Sequence, residues 1–282
     1  MISFRNSSRL FALGLTILSS PMAQAQLPVL KKEPWLGFFA AYEDRRYTLG
    51  ITADGQLKLT PLNDKGVAFG PNSVLTIQVG IEEVLPDGTA EMKVLKPETL
   101  KSEQAPTEKF ERLVIQGQVS AEAVFEAVIE EKSGIISIGG RVLDKGKFTK
   151  NPIRFAVRAK MPNLHPTVND EWVKSDPKKA AAFFKRIEDD TLQLTRIDGK
   201  RLVQKFDKPV DTASADVSGP GISRIEITMN NFTNRKFLFN ASENSRMTLS
   251  NTNAAPLYRG FAMNWTPDVE KDKDGKARFS FV

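Results

Sequence analysis

Two stretches of this chain alternate strictly between apolar and polar side chains, and that period of two limits the fold more than any other feature. In residues 73–81, Leu75, Ile77, Val79 and Ile81 share one side, while Thr76 and Gln78 take the other. In residues 153–161, Ile153, Phe155, Val157, Ala159 and Met161 share a side, and Arg154, Arg158 and Lys160 lie opposite. Successive side chains of an extended backbone point to opposite faces, so each stretch predicts a half-buried strand. Shorter β-rich runs recur along the rest of the chain. They are separated by turn residues such as Asp54-Gly55, Pro86-Asp87-Gly88 and Asp198-Gly199.

Many short strands with such turns predict an all-β fold, mainly an antiparallel β-sandwich. One segment departs from the pattern. Ala180, Phe183, Phe184 and Ile187 repeat at helical spacing behind Asp176 and Pro177, which suit an N-cap and a first helical position. Lys178, Lys179, Lys185 and Arg186 are left to face water. The prediction is one short amphipathic helix between two strand-rich halves. Pro162 and Pro166 mark the break, giving an N-terminal β domain over 35–162 and a helix plus C-terminal β domain over 163–282. One larger sandwich with a decorated connection is the alternative. Residues 97–109 are polar, carry two prolines and read as a surface loop, and residues 257–265 read as one strand.

The N-terminus carries an address. Arg5 and Arg9 precede an apolar run over 10–18, and Ala23-Gln24-Ala25 supplies a small-residue cleavage pattern. This is the layout of a secretory signal peptide over 1–25, with cleavage expected between Ala25 and Gln26. The run is short for a membrane span, which needs about 20 residues. A retained anchor is the alternative. Residues 26–34 read as an exposed lead-in. The expected location is periplasmic or extracellular, with no membrane span in the mature chain.

The chain has no cysteine, which excludes thiolate metal sites, cysteine nucleophiles and disulfides. A cysteine-free exported chain of this length, large enough to bury its own core, suits a bacterial envelope. The net charge of +6 is spread without a long like-charged block, so nucleic acid is not an expected partner.

Candidate chemistry is sparse. His165 is the only histidine and lies between Leu164 and Pro166, away from any nucleophile motif. Glycoside hydrolysis needs two carboxylates, and Asp170 and Glu171 beside Trp172 are the foremost local pair; Glu43 and Asp44 beside Tyr42 are another. Residues 270–275 resemble a calcium loop, but Glu270 stands at the first position and Phe281 at the twelfth, where the EF-hand needs Asp and Glu. Neither a metal nor a cofactor is expected. With 18 Phe against 3 Trp and 3 Tyr, the aromatics favour core filling over a stacking platform, and Trp265 is assigned to the core. Candidate ligand-binding residues are Trp172, Tyr258 and Arg259, together with the row Arg154, Arg158 and Lys160.

These readings converge on a non-enzymatic exported β-sandwich protein of the bacterial envelope that binds a glycan or a protein partner. A carbohydrate-active enzyme with paired carboxylates is the alternative. The aromatic ending Phe279-Ser280-Phe281-Val282 also admits an outer-membrane barrel, although charged strand faces oppose it.

Overall fold

The computed structural model describes residues 38–52, 54–103, 109–243, 245–268, 271 and 274–282. The predicted signal peptide with its Ala25/Gln26 junction, the lead-in and residues 270, 272 and 273 of the calcium-loop-like stretch lie outside the described residues. So do the side chains of Tyr42 and Glu43. Both alternating stretches are strands. In chain order the first half contains β1 (Phe38–Glu43), β2 (Tyr47–Thr52), β3 (Leu57–Pro61), β4 (Leu75–Val84) and β5 (Ala90–Met92). It continues with β6 (Leu95–Ser102), β7 (Arg112–Val119), β8 (Val124–Lys132), β9 (Ile135–Asp144) and β10 (Ile153–Met161). Two helices follow, α1 (Asp170–Ser175) and α2 (Pro177–Arg186). The chain then returns to β11 (Thr191–Arg196), β12 (Arg201–Lys205), β13 (Ile222–Thr228) and β14 (Lys236–Ala241). It ends with β15 (Arg246–Ser250), β16 (Phe261–Thr266) and β17 (Ala277–Phe281).

All pairings are antiparallel and trace two sheets. The first runs β1-β2-β3-β4-β10-β16-β15. The second runs β6-β7-β8-β9-β17-β14-β13-β11-β12. A single pair, Ile222 with Met247, joins them where β13 meets β15. The apolar sides of β4 and β10 lie in the core, with Ile81 opposite Phe155 and Ile77 opposite Ala159. Phe125 of β8 meets Phe155 from the other sheet at 6.3 Å between ring centres, and Phe155 meets Trp265 edge-on at 6.5 Å. Gly140 of β9 makes this closeness possible, because a Cβ there would stand 2.4 Å from the Phe155 ring. Trp265 is fully buried, and its Nε1–H donates to Ser245 Oγ at 2.9 Å, so the indole leaves no unpaired donor in the core.

The proline-rich break at 162–166 does not divide the strand pairing. β10 pairs with β16, and β9 pairs with β17, so hydrogen bonds cross the break in both sheets. Phe279 and Phe281 are buried in β17 between β9 and β14. They fill a sandwich core, where a lipid-facing barrel strand would expose them. Among the described residues, no helix is long and apolar enough to cross a membrane.

Three local expectations change. The helical segment is two helices. Asn169 Oδ1 accepts the Trp172 N–H at 2.8 Å and starts α1; Asp176 ends α1 and accepts the Lys179 N–H at 3.1 Å to start α2. Pro177 forces the junction, since it disfavours helical backbone at Asp176. The expected loop at 97–109 begins as part of β6, an edge strand whose register jumps between Lys96 and Lys101. An edge tolerates Pro97 because no ladder depends on its missing donor. The expected strand at 257–265 starts instead as a 3₁₀ turn over Leu257–Arg259, and only β16 is extended.

Candidate functional site

The face of β10 that carries Arg154, Arg158 and Lys160 looks away from the core. Register places it in a continuous polar surface. Arg158 lies between Gln78 of β4 and Asn264 of β16, and Asn264 in turn lies beside Thr248 of β15. Lys160 lies between Thr76 and Ala262, and Arg154 is opposite Glu82. Asn264 Nδ2 donates to Ser250 Oγ at 3.3 Å. Gln78 and Thr248 are exposed and make no side-chain hydrogen bond within the described residues.

A cleft of about 500 Å³ lies over this surface. One wall is the hairpin between β4 and β5, represented by Gly88 and Met92. Lys93 braces that hairpin, donating to Glu83 at 2.5 Å and Glu91 at 2.9 Å. The ammonium beside it holds the Glu83 carboxyl below its ordinary range, and the carboxylate raises Lys93 in return. The opposite wall is the Gly219-Pro220-Gly221 segment. Arg196 supports it from behind, donating to the carbonyls of Ala215 at 3.2 Å and Asp216 at 3.1 Å. Gly221 adopts φ +121°, and a Cβ there would approach the Arg246 Cβ to 2.9 Å. Glycine therefore lets this wall close down on β15.

Three further lobes open from the central cleft. One of about 730 Å³ shares Arg154, Arg246 and Thr266 with it. Another of about 360 Å³ shares Arg158 and Met92. The last, about 390 Å³, shares Arg158 and Ser250 and brings Lys160 together with Arg259. The result is a groove along β10 with hydrogen-bonding groups on its floor.

Its charge is one-sided. On the outward faces of β4, β10, β16 and β15 stand four cations, Arg154, Arg158, Lys160 and Arg246, against one carboxylate, Glu82. Glu82 is nearly buried and accepts from Arg154 Nε at 2.6 Å, so this pair is mutually satisfied. Acids also line the side lobes, Glu243 and Asp268 in one and Asp54 in another.

The structure separates the residues singled out from sequence. Arg154, Arg158 and Lys160 share the groove floor, and Arg259 reaches its end. Asp170 is exposed on α1 and bonded to Arg259; Glu171 is exposed beside it. Trp172 is half-buried, edge-on to Phe183 at 6.1 Å. Tyr258 is buried among Phe183, Phe184 and His165, with the Arg259 guanidinium over its ring at 5.8 Å. No stacking surface for a ligand forms from Trp172 and Tyr258, since both are spent on packing α1 and α2. His165 is half-buried and edge-on to Phe183 at 4.9 Å; burial, and then Arg186, pushes its imidazole below the ordinary range. Among the described residues, no three His, Asp or Glu side chains gather as a metal site.

Sequence reasoning missed Arg246, Asn264, Thr248 and Glu82. Gln78 was visible as an outward residue of β4. The others needed the order β4-β10-β16-β15, which no local pattern encodes.

No protein-family model matches the chain, and neither does any curated protein. Solved structures do share the fold. The GalNAc complex of α-N-acetylgalactosaminidase NagBb from Bifidobacterium bifidum superposes with a TM-score of 0.52, at 10% identity over 86% of this chain. The quadruple mutant and the Gal-NHAc-DNJ complex of that enzyme give 0.51, also at 10% identity and 86% coverage. The chain spans only 35% of the enzyme chain in the first case and 36% in the others. At such identity the likeness is one of fold.

Proposed function

We propose that this is an exported protein of the bacterial envelope that binds a glycan in the groove along β10. The observation that carries this reading is the groove floor. Gln78, Thr248, Asn264 and Ser250 present amides and hydroxyls in adjacent strands, between two braced walls. Sugars are recognised by such convergent hydrogen-bonding groups held on a rigid scaffold. Export is supported by the leader-like pattern ending at Ala25. The fold is shared with part of a glycosidase, which favours a carbohydrate over a protein as the ligand.

The proposed role is binding without bond cleavage. Paired-carboxylate hydrolysis requires two acids about 5–9.5 Å apart across the scissile bond. The one carboxylate on the strand floor, Glu82, is held by Arg154. Asp170 is held by Arg259 on the helical flank.

Glycan-array binding of the purified protein tests the reading, with N-terminal sequencing to locate the mature start. Retention of a defined glycan class, lost in Asn264→Asp with the fold intact, is the expected result. Absence of binding to any glycan overturns it, and release of reducing ends from a bound glycan overturns the non-catalytic role.

A further inference from the structure

Among the described residues, arginine side chains that are half-buried have carboxylate partners, with one exception. Arg46 is paired with Asp44, Arg154 with Glu82, Arg196 with Asp198, Arg235 with Asp64 and Arg259 with Asp170. Arg158 is also half-buried, yet it has no hydrogen bond or ion pair among the described residues. Its cross-strand neighbours, Gln78 and Asn264, are neutral. Partial burial of a guanidinium carries a desolvation cost that a partner normally offsets. The fold provides that partner five times and withholds it at the centre of the groove.

Two more cations flank this position without partners among the described residues, Lys160 and Arg246. Strand geometry sets their spacing. Lys160 is two residues along β10 from Arg158, about 7 Å at the backbone. Arg246 is two strands across and two residues down, about 12 Å away. The open positive charges are thus spread along the groove instead of being gathered at one backbone position. Such a row meets a chain that carries negative charge repeatedly. Arginine suits the role because its planar fork donates two parallel hydrogen bonds to a carboxylate or an oxyanion of sulfate or phosphate.

We infer that the groove binds an acidic polysaccharide, with Arg158 as its central anion receptor and Arg246 and Lys160 as flanking contacts. This rests on the glycan-binding reading and adds that the ligand must be charged. Electrostatic recognition makes the affinity fall with ionic strength. Binding then weakens as salt is added, and a neutral polymer of the same size binds poorly.

Titration calorimetry on the purified protein tests this with polygalacturonate, dextran sulfate and neutral dextran. Binding to one of the two polyanions, weakened by about tenfold or more in Arg158→Gln and further in Arg158→Gln/Arg246→Gln, supports the inference. The polymer that binds then identifies the charged group. Arg158→Lys, which keeps the charge and loses the fork, should retain part of the affinity. Lys179→Gln on the exposed face of α2 should retain all of it, and an unchanged circular dichroism spectrum confirms the fold of each variant. Polyanion binding that ignores Arg158→Gln overturns the inference. Neutral-glycan binding unaffected by that variant also overturns it, while leaving the glycan reading in place. Binding to anionic phosphatidylglycerol vesicles and to no glycan overturns both.

Discussion

Two regions of the molecule were equally prominent as sites in the sequence, and their fates diverge. The helical corner gathers Asp170, Glu171, Trp172, Tyr258 and Arg259. The groove gathers Arg154, Arg158 and Lys160. In the corner the polar and aromatic groups are largely consumed by one another. Arg259 bonds Asp170, Tyr258 is covered by Phe183 and Phe184, and Trp172 lies against Phe183. In the groove only Arg154 is consumed, by Glu82. The difference teaches that residue type nominates a site, while unspent bonding capacity identifies it. A cation with a carboxylate on its fork is structure; the same cation between two amides is available for a ligand.

If the corner is structural, its most buried residue, Tyr258, should show the largest stability effect. Tyr258→Ala is expected to lower unfolding stability by about 3–4 kcal/mol in denaturant melts. The surviving folded fraction should keep its ligand affinity. A stable variant that has lost binding would make the corner part of the site after all.

Asp190, which follows α2, should report the same corner through pH. Its carboxylate is buried and accepts the Asn230 N–H at 2.7 Å. Burial pushes its pKa up to about 6, Asp189 adds to the rise, and the Asn230 N–H and Arg186 oppose it. The unfolded chain ionises near the ordinary value of 3.8, whereas the native state keeps the proton until about pH 6. Stability contributed by this group therefore falls as pH rises from about 4 to 6, and the full cost applies above that window. Asp190→Asn should flatten the slope over that window and raise stability at pH 8 by about 2 kcal/mol. An unchanged pH profile would show that Asp190 is not the titrating group.

Arg154→Ala should cost about 1–2 kcal/mol, because it leaves the nearly buried Glu82 without its cation. The double variant with Glu82→Gln should recover part of that loss. Asp170→Ala removes a pair whose acid is largely exposed, so stability should change by no more than about 0.5 kcal/mol. Arg158→Gln should be the mildest of all for stability, within about 0.5 kcal/mol by thermal melts, since no partner is lost. A large destabilisation there would assign Arg158 to the fold and erase the contrast between the two regions.

The alternating stretches were legible because a half-buried strand imposes its period on its own residues. The inward positions of β4 and β10 follow from sequence for that reason. So does the α2 start, since Asp176 and Pro177 act within one turn of their neighbours. Helix α1 was not legible, because its six residues carry no full amphipathic repeat. The turn at Leu257–Arg259 was mistaken for strand because its apolar residues fit either geometry over so short a run.

By itself, then, the sequence determined that β10 would hide one face and show a cationic other, and that the chain would be strand-dominated. These are local consequences of periodicity. Only the tertiary structure decided which cations stay unpaired. That depends on strand neighbours drawn from distant parts of the chain. β4 brings Gln78 to Arg158 and Glu82 to Arg154, while β16 brings Asn264. Pairing across the sheet is set by the packing of two whole sheets on one core, and no short segment contains that information.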